Sequence, residues 1–150
     1  MKWKRLIIAT SVLLVLTTLV LYITRLPGGE KITKKKHLIA TKLEEKGYHG
    51  GYIIISEKRH KWYNSLLTNS VDRSYHMKGM AVDFWLMDLN DDGKWDKKDI
   101  ELMVKIIGEV EKDNPELKGW TGTYLSKGAL SSRMVHTDVS GIANPKNKTK

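Results

Sequence analysis

Residues 79–86, Gly-Met-Ala-Val-Asp-Phe-Trp-Leu, form an apolar run with one charged residue, Asp83, near its centre. The run has the length and composition of a buried strand. Burial of a lone carboxylate costs several kcal/mol unless a cation or hydrogen-bond donors meet it. Any fold that buries this strand must therefore supply such partners to Asp83.

The composition limits the kinds of site and partner. The chain has 150 residues, enough for one domain with a core, and no cysteine. Disulfides and thiolate metal sites are therefore excluded, and any metal must be held by His, Asp or Glu. The net charge of +9 indicates attraction to anionic surfaces such as cell-wall polymers or lipid headgroups. Because the charges are scattered and no nucleic-acid motif is present, we predict no nucleic-acid partner.

The amino-terminal residues differ from the rest, since residues 6–24 carry no charge. A helix of this length, at about 1.5 Å per residue, crosses a hydrocarbon core of about 30 Å. No small-residue cleavage motif follows, so we predict an uncleaved signal anchor and transmembrane helix in residues 1–25, with cleavage left open. Basic residues flank both ends and leave the orientation undecided. Residues 26–36 are predicted to be a Pro/Gly-containing linker.

The remaining patterns predict an α+β fold with a small, largely antiparallel sheet and flanking helices. Helices are predicted over 37–48, ending at Gly47, and over 97–115, where apolar residues recur on one face. Strands are predicted over 50–56, 79–86, 119–125 and 134–140. We place the domain at 37–143 and a disordered tail at 144–150.

Two histidines accompany Asp83. His76 precedes its strand, and Gly79 permits a tight turn that returns the His76 ring toward Asp83. On a second strand His136 and Asp138 point the same way, because they are two residues apart. Two imidazoles and one carboxylate make a three-ligand zinc site with an open fourth position. From spacing alone, ordinary hydrogen-bonded histidines and a turn or capping aspartate are the simpler interpretation.

The stretch "SYHMKGMAVD" resembles the S-x-H-x-x-G-x-A-x-D signature of the M15 family of zinc peptidases. This family contains D-Ala-D-Ala carboxypeptidases and peptidoglycan endopeptidases of the Hedgehog/D,D-peptidase fold. "VHTDV", within "GWTGTYLSKGALSSRMVHTDVSG", is similar to a later motif of one branch, and "ISEKRHKWYN" resembles an S-G-Y-R-S-x-x-x-N stretch. The resemblance covers residues 50 to 141, and the matching positions are Ser56, Arg59, Asn64, Ser74, His76, Gly79, Ala81, Asp83 and the V-H-x-D-V residues.

The resemblance implies that His76, Asp83 and His136 bind zinc, which activates a water and polarises the scissile carbonyl. It implies that Arg59 holds a substrate carboxylate or the developing oxyanion. A solvated charge is the alternative for Arg59. Asp138 is expected to orient His136 or another group of the site.

The chain departs from the family at the catalytic base. Other branches carry glutamate three residues before the last histidine, whereas this chain has Arg133, which cannot accept a proton. Asp138 or another acid would then serve as base, or the site is weak, or it only binds. "SEK" in place of S-G-Y is a second departure. His60 and Tyr124 are unranked accessory candidates.

A second metal motif occupies residues 88–99, "DLNDDGKWDKKD", which fits a twelve-position calcium loop. Gly93 at position 6 allows the sharp turn, and the entering helix of a sensor loop is missing. The alternative is an acidic turn with a helix N-cap near Asp96. The predicted calcium ligands are Asp88, Asn90, Asp92, Lys94 through its carbonyl, Asp96 and Asp99.

Together these patterns predict a membrane-anchored zinc metallopeptidase that hydrolyses peptide bonds of peptidoglycan peptides, as a D,D- or L,D-endopeptidase or a carboxypeptidase. The expected cofactors are Zn²⁺ and Ca²⁺, and the expected location of the domain is extracytoplasmic, on the periplasmic or cell-wall side. The alternatives are a degenerate zinc-holding module that binds wall peptides and a calcium-stabilised structural domain. Oligomeric state is not predicted.

Overall fold

The computed structural model describes residues 2–24, 26–67, 73–124 and 131–142 and, within the first helix, the side chains of residues 3, 7 and 10–19. The fold is α+β, as predicted. Its helices are α1 (Lys2–Thr24), α2 (Glu30–Glu45), α3 (Lys61–Leu66) and α4 (Lys97–Asp113). Its strands are β1 (Tyr52–Ser56), β2 (Ala81–Leu86), β3 (Thr121–Thr123) and β4 (Met134–Asp138). Short 3₁₀ turns lie at Tyr75–Lys78, Pro115–Leu117 and Ser131–Arg133.

The four strands form one sheet in the order β1-β2-β4-β3, and every neighbouring pair is antiparallel. The prediction of a small antiparallel sheet is therefore confirmed. Asp83 of β2 lies opposite His136 of β4 and opposite Ser56 of β1, where a bulge interrupts the β1–β2 ladder. The central strands thus bring the predicted site residues to the same level of the sheet.

The two faces of β2 have different roles. Val82, Phe84 and Leu86 join one core with buried residues of α2 and α4. Asp83 lies on the opposite face, because successive strand residues alternate. The core includes Ile32, Ile39, Leu43, Leu89, Ile100, Met103, Ile106, Ile107, Val110, Leu117, Val135 and Val139.

Helix α4 follows its predicted pattern. Ile100, Met103, Ile107 and Val110 are buried on one side. Asp96 is the N-cap and accepts from the backbone N–H of Lys98, as the capping alternative for this stretch anticipated.

The structure differs from the prediction at the linker. Helix α2 begins at Glu30, so only residues 26–29 of the predicted 26–36 linker precede it. Ile32, Lys35, Ile39 and Leu43 form its buried stripe. The linker prediction was wrong here because the buried stripe of the helix that was predicted from residue 37 extends back to Ile32. The predicted tail, 144–150, lies outside the described residues, as do residues 1, 25 and 143.

Helix α1 extends over 23 residues. Within the described part of the chain, no helix combines the length and the apolar character needed to cross a membrane. The transmembrane anchor stays a prediction from the sequence.

Lys35 is a fully buried cation that joins three elements. Its ammonium group donates to Glu111 Oε1 of α4 at 2.6 Å, to Thr137 Oγ1 of β4 at 2.8 Å and to the Asp138 carbonyl at 2.7 Å. Burial lowers the pKa of Lys35, and the hydrogen bond and charge of Glu111 oppose that shift. Lys35 and Glu111 therefore fix α2 and α4 relative to β4, the strand that carries His136.

We expect Lys35→Met to lower the free energy of unfolding by about 3 kcal/mol, because it leaves Glu111 without its buried partner. Lys34→Met is the matched control, since Lys34 pairs with Glu116 at the exposed surface, and should leave stability nearly unchanged. Urea unfolding curves measure both. Equal stabilities of the two variants would contradict the assignment of Lys35.

Candidate metal centre

The turn that carries His76 is built by the residues of the signature. The Ser74 side chain caps it by accepting from the His76 N–H at 3.3 Å. Gly79 ends it in the left-handed conformation, with φ of 66°, which favours glycine. Ala81, fully buried, then opens β2. The chain therefore reverses between His76 and Asp83.

Asp83 and His136 are direct neighbours across β2 and β4. Asp83 Oδ1 lies 2.8 Å from His136 Nδ1, and Asp83 Oδ2 lies 3.2 Å from His76 Nε2. The two histidine nitrogens are 3.2 Å apart. Among the described residues, these three buried side chains form the one group of His, Asp or Glu placed to share a metal ion. The structure thus brings together all three predicted ligands.

The tautomer of His76 follows from its partner on the other side of the ring. His76 Nδ1 lies 2.6 Å from the carbonyl oxygen of Glu57. A carbonyl only accepts, so Nδ1 donates to it, and Nε2, on the other side of the ring, is the nitrogen that faces Asp83 and His136 and would ligate a metal ion. Metal-binding histidines are commonly oriented in this way.

The separations of the donor atoms fit a tetrahedral ion of zinc size. Ligands at about 2.0–2.1 Å in tetrahedral geometry are about 3.3 Å apart. The three separations in the structure are 2.8, 3.2 and 3.2 Å. Two imidazoles and one carboxylate suit zinc and also iron(II), whereas calcium takes oxygen ligands. The group could therefore hold a transition-metal ion, whose identity the geometry leaves open.

The charge balance of the cluster is set by its short contacts. Burial alone would raise the pKa of Asp83, but hydrogen bonds with His136 and His76 hold it well below its usual range. Burial lowers the pKa of His136, but the carboxylates of Asp138 and Asp83 outweigh it and raise that pKa. Protons therefore compete with a metal ion for this site.

Arg59 supplies a further positive charge. One guanidinium nitrogen, Nη2, donates to Asp83 Oδ2, and Nε donates to Ser56 Oγ at 2.6 Å. The structure therefore places Arg59 beside the carboxylate and not as a solvated charge. His60, the other candidate from this stretch, is exposed.

Asp138 lies behind His136. It is fully buried, and its Oδ1 accepts from the backbone N–H of Trp120 at 3.0 Å and of Ser140 at 2.9 Å. Its Oδ2 faces His136 Nε2 at 3.9 Å, longer than a hydrogen bond, and has no hydrogen-bond partner among the described residues. Asp138 therefore adjoins the ring nitrogen opposite the one that faces Asp83.

Two aromatic residues adjoin the cluster. The ring centre of Trp120 is 5.0 Å from that of His136. Gly122 of β3 pairs with His136 of β4 and leaves room for the Trp120 ring. A Cβ on Gly122 would lie 2.6 Å from that ring. Burial raises the pKa of Tyr124, and the charge of Asp83 adds to that shift. Trp120 was not singled out in the sequence, because a single tryptophan carries no spacing pattern.

Arg133, three residues before His136, contacts two tryptophans. Its guanidinium carbon lies 4.2 Å from the centre of the Trp95 ring and 5.8 Å from that of Trp85. These distances are typical of cation–π contacts. Arg133 therefore joins the 88–99 loop to β2.

The 88–99 loop is closed by hydrogen bonds from backbone N–H groups to its own aspartate side chains. Asp88 accepts from the N–H groups of Asp92 and Gly93, and Asp92 accepts from that of Lys94. Asp99, predicted at position 12, is fully buried, and its two oxygens accept from the N–H groups of residues 89, 90 and 96. No calcium site is thus shown among the described residues.

No family model matches the chain, and neither the curated proteins nor the solved structures contain a significant match. The resemblance to zinc peptidases therefore stays a prediction from the sequence.

We expect the full chain, purified in detergent, to bind one Zn²⁺ per molecule, and His136→Ala to weaken binding by more than about 100-fold, because a ligand is lost. The measurement is competition with a chromogenic chelator. His37→Ala is the matched control, since His37 is exposed on α2, and should bind as the wild type does. Equal affinities of the two variants would rule out His136 as a ligand.

Proposed function

We propose that the chain is a zinc-dependent peptidase that cleaves peptide bonds of peptidoglycan. The observation that carries the proposal is the convergence of His76, Asp83 and His136 at 2.8 to 3.2 Å, with the His76 tautomer fixed by Glu57. The resemblance of residues 74–83 to the zinc-peptidase signature supplies the substrate class.

Each residue near the cluster has a part in this proposal. His76, Asp83 and His136 hold zinc, which when bound supplies a Lewis acid and an acidified water. Arg59 holds Asp83 in place and presents its positive charge to a substrate carboxylate or a developing oxyanion. Asp138 orients His136 from behind the ring.

The identity of the base decides between catalysis and binding. Arg133 cannot accept a proton, and its guanidinium is engaged with Trp95 and Trp85. Asp138 is fully buried behind His136. These observations favour, as the second candidate, a module that holds zinc and wall peptide without cleaving it.

The proposal places the domain outside the cytoplasm, held to a membrane by the amino-terminal helix. The support is the uncharged stretch 6–24 together with the exposure of the large apolar side chains described on α1, which are all at least half exposed. Such a surface requires an apolar partner. Release of the chain from membranes by alkaline carbonate would contradict the anchor.

The test is incubation of the full chain, in detergent and loaded with zinc, with purified peptidoglycan, followed by mass spectrometry of the soluble peptides. We expect chelator-sensitive products whose masses name the bond, with cross-link cleavage slightly preferred over removal of terminal D-Ala. His136→Ala should abolish them and His37→Ala should not.

Absence of products from a zinc-loaded, folded chain would contradict the peptidase. Zinc-dependent sedimentation of that chain with peptidoglycan would then establish the binding module. Iron in place of zinc after purification would contradict the metal assignment.

We also propose that the 88–99 loop binds calcium and stabilises the fold. In support, Asp88 Oδ1 and Asn90 Oδ1 both reach the N–H of Asp92, at 3.1 and 3.2 Å, so three predicted ligands are gathered. Gly93 has the positive φ, 80°, expected at position 6. To ligate calcium, Asp99 would have to give up its hydrogen bonds with backbone N–H groups. Otherwise the other predicted ligands hold the ion without Asp99.

Calcium should raise the melting temperature of the wild type and not that of Asp92→Ala. Asp113→Ala, which alters an acidic residue at the far end of α4, is the control and should respond to calcium as the wild type does. Calorimetric melting curves with calcium and with chelator measure this effect. A wild-type melting temperature that does not depend on calcium would contradict the proposal that the 88–99 loop binds calcium.

A further inference from the structure

Leu26 to Gly29, the four described residues between α1 and α2, contact residues that adjoin the metal centre. We call them the junction segment. Leu26 forms an isolated antiparallel bridge with Lys58, whose N–H donates to the Leu26 carbonyl at 3.2 Å. The Gly29 N–H donates to the Gly79 carbonyl at 2.7 Å. Gly79 ends the turn that carries His76, so the segment touches that turn directly.

Glu57 connects the junction segment to the ring of His76. Its Oε2 accepts from the Gly28 N–H at 2.7 Å, and its Oε1 accepts from Lys36 Nζ at 2.6 Å. Its own carbonyl accepts from His76 Nδ1 at 2.6 Å. Both carboxylate oxygens of Glu57 accept hydrogen bonds, and its side chain is only 14% exposed. The backbone carbonyl of Glu57 therefore has a fixed position beside the imidazole of His76.

The two glycines of the segment allow its backbone to lie close to Glu57 and to the turn that carries His76. A Cβ on Gly29 would lie 3.2 Å from the Gly79 carbonyl, and one on Gly28 would lie 3.1 Å from Glu57 Oε2 and 2.2 Å from Ile32 Cγ2. Larger residues would therefore push the segment away from the turn. The resemblance to zinc peptidases does not account for this contact, because Glu57 belongs to the "SEK" that departs from the family pattern.

We propose that Glu57 and the junction segment are positioning elements of the metal centre, which set the tautomer and place of His76. The proposal rests on the metal-binding part of the proposed function and not on catalysis.

The test uses the full chain in detergent, with Co²⁺ as the probe, since its visible absorption reports the geometry of its ligands. Glu57→Ala should weaken Co²⁺ binding about 10- to 100-fold, the range for partners that orient a metal ligand, and should alter the spectrum. Glu57→Gln should recover most of the affinity, because an amide oxygen still accepts from the Gly28 N–H. Glu109→Gln, at a surface pair with Lys46, is the control and should match the wild type.

Insertions test the segment without changing any side chain. A short Gly-Ser insertion between residues 27 and 28 should weaken Co²⁺ binding as Glu57→Ala does. The same insertion between residues 25 and 26, ahead of the junction segment, should leave affinity and spectrum unchanged.

Two results would overturn the proposal. Wild-type affinity and spectrum in folded Glu57→Ala, or equal effects of the two insertions, would show that the segment does not position His76, and the metal centre itself would stand. A wild-type chain that binds no Co²⁺ would overturn this proposal together with the proposed function.

Discussion

The buried carboxylate of Asp83 is the interaction on which the rest of the structure depends. It is 2% exposed on β2, one of the two central strands of the sheet, where an unpaired charge would be strongly unfavourable. His136 meets it from β4, His76 from the preceding turn and Arg59 from beyond β1. The contact with His136 requires β2 and β4 to pair with Asp83 opposite His136. The need to neutralise the buried carboxylate and the register of the sheet are therefore satisfied together.

Much of this arrangement could be predicted from local patterns. The period of α4 and the apolar runs of β1 and β2 identify their elements, because each pattern reflects one buried face. Spacing alone made the ligand group one of two interpretations, and the resemblance of residues 74–83 to the zinc-peptidase signature is what predicted it. The register that joins Asp83 to His136 was not predictable, because cross-strand pairing depends on residues 53 positions apart in the chain.

Residues whose roles depend on distant partners could not be identified from the sequence. Lys35 lies in the stretch that was predicted to be a linker, yet it is buried against Glu111, 76 positions away. Glu57 looked like a departure from a motif, yet it joins Gly28 to the site. Asp99 is a predicted calcium ligand, and the backbone N–H groups that both of its oxygens accept could not be predicted from the loop motif. In each case a polar residue has the same local pattern whether it meets solvent, an ion or a buried partner.

The most direct test of this account is X-ray absorption at the zinc edge of the zinc-loaded full chain. The account predicts four nitrogen or oxygen ligands at about 2.0–2.1 Å, with the multiple scattering of two imidazoles. It also predicts that the imidazole contribution falls to one ring in His76→Ala. A spectrum without imidazole scattering, or one that His76→Ala leaves unchanged, would contradict the assignment of His76, Asp83 and His136 as a metal centre.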